Sequence, residues 1–261
     1  MKDFVLKGHV CYSKSKNELI TQENAYLVCV NGKSKGVFSE LPQQYADLPF
    51  VDYGDHLIVP GMVDLHIHAP QYAFRGMCMD LELMDWLNRY TFPEEEKYAD
   101  LDYAEKAYSI FVNALQSGAT TRAVIFATRH RPATELLMGL MERSGLVSYV
   151  GKVNMDREAT EALEEDSAEM SAYTTFGWIN AVKGKFPHTK PILTPRFIPC
   201  CTDQLMEELR QIQMTYGIPV QSHLSESPGE IDFVRFLRPD NAFYGDAYND
   251  YDLFGKNDDI N

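Results

Sequence analysis

From residue 57 onward the sequence alternates apolar runs of strand length with amphipathic helical segments, and this rhythm limits the accessible folds more than any other feature. The runs are LIVPGMVDLHIH, TTRAVIFAT, LVSYVGKVNM, KPILTPRF and IPVQSHLSE. Continuous apolar strands that alternate with helices are typical of a parallel sheet covered by helices. The pattern predicts an α/β chain with about five β/α units. By itself it fits a parallel barrel as well as an open, doubly wound sheet.

Two of the helical segments carry clear boundary signals. The segment PEEEKYADLDYAEKAYSIFVNALQSG opens with acidic residues, which favour a helix amino terminus, and it ends at Gly118. We predict one helix there. In TDQLMEELRQIQMTYG, Thr202 is the predicted amino-terminal cap and Gly217 the predicted stop.

The first 58 residues have a different rhythm, with short bursts in which apolar and polar residues alternate. Asn31-Gly32 lies between two such bursts and is a strong signal for a tight β-hairpin turn. The change of rhythm predicts a division into a small β segment, residues 1–58, and a larger α/β region, residues 59–261.

The charge balance excludes several classes of partner. With 38 acidic and 24 basic residues the chain has a formal net charge of −14, which repels phosphate backbones and anionic lipid. We therefore expect no nucleic-acid or membrane partner and favour a small, neutral or polar ligand. The five cysteines show no CxxC spacing, which argues against a disulfide framework and predicts a reducing, cytoplasmic location.

Histidines close two of the apolar runs. His66 and His68 are two residues apart and therefore share one face of a strand, a spacing that suits Zn²⁺ or Fe²⁺. His223 ends another run, and Glu226, three residues later, is placed to act as a general base or proton shuttle. Two histidines that merely end a strand are the simpler alternative for HxH alone, but the third histidine favours metal-dependent hydrolysis. Asp64, on the same face, either supports the histidines or caps a backbone turn.

The stretch PGMVDLHIHAPQY resembles the metal-binding first barrel strand of the amidohydrolase superfamily. Further stretches occur in the order found in the guanine deaminase family, namely WLNRYTFPEE, SGATTRAVIFAT, YVGKVNMD, ILTPRF and VQSHLSE. The resemblance implies a partial (β/α) TIM-type barrel, with about five of its eight units, after a small β segment that forms half of a composite β-sandwich. It also implies hydrolytic deamination of guanine to xanthine and ammonia, by an enzyme that is often a homodimer.

The resemblance assigns roles to seven residues of this sequence. They are His66, His68 and His223 as metal ligands, Glu226 as the proton shuttle, and Gln71, Arg196 and Phe197 as the lining of the guanine site. The chemistry agrees, because a guanidinium offers rigid donors to a carbonyl and a ring nitrogen, an amide complements a purine edge, and a phenyl ring packs against a flat base. A surface arginine and a core phenylalanine are the alternatives for Arg196 and Phe197. Zn²⁺ is the expected ion and Fe²⁺ the alternative, since both accept imidazole.

One part of the family pattern is missing. The superfamily carries a histidine on its sixth strand and a metal-binding aspartate on its eighth, whereas this sequence has no histidine after His223 and closes on the polar stretch RPDNAFYGDAYNDYDLFGKNDDIN. Five aspartates of that stretch are expected to be solvated loop residues: Asp246, Asp250, Asp252, Asp258 and Asp259. We therefore expect an amino-terminal fragment, with a barrel incomplete on its carboxy-terminal side and little or no turnover alone.

Two other functions stay open at this point. One is a different amidohydrolase activity, on another aminopurine, a pterin or a cyclic amide. The other is a truncated, non-catalytic protein that binds a metal or a ligand.

Two polar features outside these motifs are interpreted as solvent-facing. His130 is expected to be a solvated loop histidine. EALEEDSAEM, residues 161–170, is expected to be a solvated helix face.

Overall fold

The structure is a computed structural model, and it describes residues 3–253. The chain divides into two compact units, Met1–Gly61 and Met62–Asn261. Each unit has its own sheet and is described by itself.

The first unit is a four-stranded, mixed sheet. Its strands are β1 (Phe4–Ser15), β2 (Glu18–Val30), β3 (Lys33–Phe38) and β4 (Phe50–Ile58), in the order β3-β2-β1-β4. β1 pairs antiparallel with β2 and parallel with β4, and β2 pairs antiparallel with β3. The predicted hairpin is confirmed: Val30 pairs with Lys33, and Asn31 and Gly32 both have positive φ, at 54° and 70°, as a tight two-residue turn requires.

The second unit is built on parallel strands. They are β5 (Met62–His68), β6 (Thr120–Phe126), β7 (Val147–Gly151), β8 (Val153–Asn154), β9 (Thr189–Pro191) and β10 (Thr194–Pro195). β5, β6, β7 and β9 form one parallel sheet in that order, and β8 pairs parallel with β10. The order follows the chain without the reversal that defines a doubly wound sheet. The α/β class and the arc of a partial (β/α) barrel are thus confirmed.

The fifth apolar run differs from its predicted form. IPVQSHLSE contributes one parallel bridge, between Val220 and Leu193, instead of a full strand. Leu193 donates its N–H to Pro219 O and accepts the N–H of Gln221, at 3.0 and 2.9 Å. Pro219 has no N–H with which to extend the ladder. Ser222 then turns its hydroxyl to the carbonyl of Pro195, at 2.7 Å.

Helices follow the strands of the second unit. They are α1 (Leu83–Trp86), α2 (Phe92–Glu96), α3 (Leu101–Ser117), α4 (Arg131–Ser144), α5 (Ala168–Val182), α6 (Asp203–Tyr216), α7 (Pro228–Leu237) and α8 (Asp246–Asn249), with a π-helical turn over Leu87–Thr91 between α1 and α2. Within residues 3–253 no helix is both long and apolar enough to cross a membrane.

The helix-end predictions are confirmed for α6 and corrected for α3. The Thr202 hydroxyl accepts the N–H of Leu205, and Gly217 ends α6 in the left-handed region. The single helix predicted from PEEE to Gly118 is wrong, because Asp100 interrupts it. Its carboxylate accepts the N–H groups of Asp102 and Tyr103, which starts α3 as a new helix that ends before Gly118.

Two buried apolar clusters hold the second unit together. The larger lies between the sheet and α3 to α6, and its members include Phe111, Leu137 and Trp178. The smaller centres on Phe92, Phe126 and Phe197. All six side chains are at most 2% exposed, and the smaller cluster forms the apolar floor of the site described next.

Candidate metal centre and its cavity

Three imidazoles meet at the carboxyl end of the parallel strands. His66 and His68 are carried by β5, and His223 follows the Val220 bridge. One ring nitrogen of each lies within 4.8 Å of the others, and Nε2 of His68 is 2.9 Å from Nε2 of His223. The structure thus brings together the three histidines that the sequence singles out. We call them the histidine cluster.

The rings are held by their surroundings. Phe126 stacks on His68 with ring centroids 4.4 Å apart, and it also contacts His66 and His223. Nδ1 of His223 is 2.6 Å from the carbonyl oxygen of Arg196. Because a carbonyl only accepts, Nδ1 carries the proton, and the lone pair of His223 is on Nε2, which faces the cluster.

Burial keeps these imidazoles neutral. It lowers the pKa of His66, with the Asp64 carboxylate opposing the shift. It holds the pKa of His68 well below the ordinary value, and the nearby His223 ring and the positive charge of Arg196 lower it further. The pKa of His223 falls to about 3, through burial and then the Arg196 charge. Neutral imidazole is the form that ligates a metal.

The cluster therefore fits a divalent cation in both geometry and chemistry. The Nε2 atoms of His68 and His223 face each other at 2.9 Å. Nε2 of His223 carries no proton, so its lone pair is free to bind an ion that the two rings share. Asp64 plays a backbone role instead, because its carboxylate accepts the N–H of His66 at 3.1 Å. Asp64 lies within β5 and meets the backbone of His66, so it caps no turn there.

A cavity of about 470 Å³ opens beside the cluster. That volume is in the range typical of small-molecule sites. The predicted residues all line it: His66, His68, Gln71, Arg196, Phe197, His223 and Glu226. Gln71 is on the 3₁₀ turn Pro70–Phe74 that follows β5. Trp86 also lines the cavity, on the side of α1.

Glu226 lies at the rim of the cavity, next to the cluster. Its Oε1 is 4.0 Å from Nε2 of His223. Burial raises the pKa of the Glu226 carboxyl, the nearby Glu230 charge raises it further, and Arg196 partly offsets both. A raised pKa suits a group that must both accept and donate a proton near neutral pH.

Glu230 fixes the backbone at Glu226. It is fully buried, and its carboxylate accepts the N–H groups of Glu226 and Ser227, at 2.6 and 3.3 Å. The Ser227 hydroxyl in turn accepts the N–H of Glu230, which completes a capping box at the start of α7. Glu230 was not predicted from the sequence, although the S-x-x-E spacing at Ser227 is a usable signal.

Arg196 is buried, not a surface residue. Its side chain is 2% exposed and makes an ion pair with Glu95, which is fully buried, at 2.8 Å. Its guanidinium carbon is 5.0 Å from the ring centroid of Phe92. Burial alone would lower the pKa of Arg196, but the Glu95 charge and hydrogen bond outweigh it and the net shift is upward. Glu95 was missed, because PEEE reads as an ordinary acidic first turn.

Phe197 lies between cavity and core. The side chain is 2% exposed, and its ring meets His223 edge to face at 6.4 Å between centroids. It packs in the smaller apolar cluster and also lines the cavity. Phe197 is therefore part of the apolar core and also part of the cavity wall.

The carboxy-terminal aspartates stay away from the histidine cluster. Asp246 accepts the N–H of Phe243, Asp250 accepts from the amide of Asn241, and Asp252 pairs with Arg210. Among the residues that the structure covers, only histidines join the metal-competent group. Asp258 and Asp259 lie outside the described residues.

The segment that carries these aspartates is less polar than its sequence suggests. Tyr244, Tyr248, Tyr251 and Leu253 are each less than 10% exposed. The Tyr248 hydroxyl donates to the carbonyl oxygen of His223 at 2.6 Å. Asp250 and Asp252 are exposed, as expected for solvated residues, while the buried tyrosines anchor the segment.

One further expectation fails and another is met only in part. Residues 161–166 form turns instead of a helix face, and Glu165 is 6% exposed, with its carboxylate 2.6 Å from Nζ of the buried Lys152. His130 is half-buried ahead of α4, where burial lowers its pKa to about 4. It takes no part in the histidine cluster.

Comparisons with known proteins agree with this architecture. The amidohydrolase family profile matches residues 57–256. The chain is 40% identical over 196 residues to guanine deaminase of Mus musculus, covering 75% of this chain and 43% of that protein. For guanine deaminase of Escherichia coli the identity is 36% over 209 residues, covering 79% and 46%. The chain thus spans less than half the length of these curated relatives.

A solved structure of a relative has the same architecture. The crystal structure of guanine deaminase from C. acetobutylicum with bound guanine superposes with a TM-score of 0.92 at 41% identity, covering 97% of this chain and 60% of that one. The histidine-bearing strand, the parallel order of the sheet and the family match point to one conclusion. The chain belongs to the amidohydrolase family.

Proposed function

We propose that this cavity serves the hydrolytic deamination of guanine, guanine + water → xanthine + ammonia. The observation that carries the proposal is the convergence of three neutral imidazoles, the Glu226 carboxylate and the Arg196 guanidinium on one cavity of purine size. The similarity to proteins named guanine deaminase, at 36 to 40% identity, supports this substrate over another aminopurine, a pterin or a cyclic amide.

The proposed metal ligands are His66, His68 and His223, through their ring nitrogens, and Zn²⁺ is the proposed ion with Fe²⁺ as the alternative. A divalent ion held there would supply the Lewis acidity that makes water reactive as a nucleophile at neutral pH. The contribution of the chain itself is to keep the imidazoles neutral by burial. It also aims the lone pair of His223 through the bond to the Arg196 carbonyl.

The other four residues are proposed to bind and orient the purine and to move its protons. Arg196 donates to the carbonyl oxygen and ring nitrogen of guanine, Gln71 pairs with a polar edge of the base, and Phe197 packs against its plane. Glu226 accepts a proton from the attacking water and delivers it to the departing amino group. Its raised pKa favours that second role.

We further propose that turnover by this chain alone is low. In residues 3–253 no carboxylate joins the histidines in the metal-competent group, whereas the family pattern includes a metal-binding aspartate on the eighth strand. Binding of metal and purine without turnover is therefore the second candidate function. We also propose a cytoplasmic location, from the number and spacing of the five cysteines, and a homodimer, from the family resemblance.

One experiment separates these functions. The zinc-loaded chain is mixed with guanine, and native mass spectrometry, loss of guanine absorbance and ammonia release are followed together. We expect a guanine-bound species with little ammonia. Turnover close to that of a full-length relative would contradict the claim of low activity. Binding of adenine but not of guanine would contradict the proposed substrate.

A further inference from the structure

The ion pair between Arg196 and Glu95 lies in an unusual place, at the wall of a ligand cavity yet almost out of contact with water. Both side chains are at most 2% exposed, and their closest atoms are 2.8 Å apart. Taking two charges out of water costs free energy for each ion before any attraction is counted. Since well-packed apolar side chains stabilise such positions at least as well, a gain in stability is a poor explanation for the pair.

Helix α2 holds the guanidinium from two directions. Phe92 and Glu95 are three residues apart, so they project from the same face of the helix. Glu95 accepts a hydrogen bond in the plane of the guanidinium, and the Phe92 ring lies 5.0 Å from its central carbon. An in-plane bond and a ring contact together restrict both the position and the tilt of the group.

The remaining donors of Arg196 are available to a ligand. Among residues 3–253, the hydrogen bond to Glu95 is the one its side chain makes. Arg196 also lines the cavity. A guanidinium has five N–H donors in a rigid fork, and fixing one of them fixes the directions of the rest.

We infer that Glu95 is a positioning residue that fixes the Arg196 guanidinium so that its remaining donors face the cavity, and that this makes the site select purines with a carbonyl rather than an amino group at C6. The inference rests on the proposed function, because it takes guanine as the ligand. A fixed row of donors favours an acceptor and disfavours another donor. A freely moving arginine would discriminate less.

Glu94 provides a matched control on the same helix. It is the neighbouring carboxylate and is also largely buried, at 8% exposure. Its partners are Lys97, at 2.6 Å, and the Tyr103 hydroxyl, and Arg196 is not among them. Glu94→Gln therefore removes the same charge from α2 without touching the guanidinium.

The test compares guanine with 2,6-diaminopurine, which differs by an amino group in place of the C6 carbonyl. Equilibrium dialysis with the zinc-loaded chain gives both affinities for wild type, Glu95→Ala, Glu95→Gln and Glu94→Gln. We expect wild type to prefer guanine by about 10-fold, the scale of one good arginine–purine contact. Glu95→Ala should abolish most of that preference by weakening guanine alone, and Glu94→Gln should keep it. Glu95→Gln keeps the shape and an acceptor, so a loss of about threefold is expected.

The outcomes distinguish this inference from the proposed function. If both Glu95 variants keep the wild-type affinity and preference, the positioning role is wrong. If Glu95→Ala does not fold, Glu95→Gln decides. If wild type binds neither purine, the proposed function fails. The positioning role is then decided by the solvent exchange of the Arg196 side-chain N–H signals in NMR. These should exchange about 10-fold faster in Glu95→Gln than in Glu94→Gln, and equal rates would overturn the inference.

Discussion

The histidine cluster and the buried carboxylates differ in how they avoid an unpaired charge inside the protein. The imidazoles have few partners and stay neutral because burial lowers the pKa of all three. Glu95, Glu165 and Glu230 are buried more completely, at 6% exposure or less, but each is matched by a cation or by several donors. A metal-competent site thus needs lone pairs that are left unused, whereas a buried carboxylate needs a charged or hydrogen-bonding partner.

Removing one of the buried carboxylates should lower the free energy of unfolding more than any other change considered below. Glu165 pairs with Lys152 at 2.6 Å, accepts the N–H of Met155 at 3.2 Å and accepts the Ser171 hydroxyl at 2.5 Å. Glu165→Ala leaves Lys152 buried without its partner, so the free energy of unfolding should fall by about 3–5 kcal/mol. Glu161→Ala, at an exposed position, is the control and should change it by less than about 0.5 kcal/mol. Equal effects in a denaturant titration would show that the pair is dispensable.

The neutral histidines should make the stability of the chain depend on pH. An imidazole whose pKa is lowered in the folded state binds protons more readily when unfolded, so stability is present above the ordinary value of 6.5 and is lost as pH falls below it. With a folded pKa of about 3, His223 alone should cost the metal-free chain about 2 kcal/mol between pH 6.5 and pH 5.

The measurement is the free energy of unfolding at both pH values for wild type and His223→Gln. The variant should lose less stability on acidification by about that 2 kcal/mol. An identical pH dependence in the two proteins would mean that His223 is not held neutral by the fold.

The smallest effect concerns a hydrogen bond to one of the carboxylates. The Tyr244 hydroxyl donates to Oε1 of Glu230 at 2.6 Å, in a buried position. Tyr244→Phe should destabilise the chain by about 1.5 kcal/mol, the scale of a bond to a charged acceptor. Tyr216→Phe, which removes an exposed bond to Asn180, should cost less than about 0.5 kcal/mol. If Tyr244→Phe destabilises the chain no more than the control does, the hydrogen bond from Tyr244 adds nothing to stability. The backbone N–H groups would then be sufficient partners for Glu230.

The same contrast explains what the sequence could predict. The imidazoles stand at the ends of apolar runs, and strand periodicity together with parallel order brings such positions to one edge. His66, His68, His223 and Glu226 were therefore accessible to sequence reasoning, whereas Arg196 was reached only through the family resemblance. The caps at Thr202 and Gly217 were also accessible, because their bonds are local.

The carboxylates were not accessible in this way. Glu95 and Arg196 are separated by 101 residues, so the acidic run that contains Glu95 gives no sign of its partner. Glu165 sits in an acidic run that resembles a solvated face, and its burial depends on Lys152 at the end of β7. The buried tyrosines of the carboxy-terminal segment were hidden for the same reason, since polar neighbours surround them in sequence. Glu230 is the exception, because its capping box is a local signal.

Zinc binding to the histidine cluster can be measured without a purine and without turnover. The zinc affinity of the chain is measured by competition with a chromophoric chelator, for wild type, His68→Ala, His223→Ala and the control His188→Ala at an exposed position. We expect one tightly bound ion per wild-type chain and per His188→Ala chain. We also expect a loss of affinity of roughly 100-fold or more in the other two. Equal zinc affinity in all four proteins would contradict a metal centre at the histidine cluster.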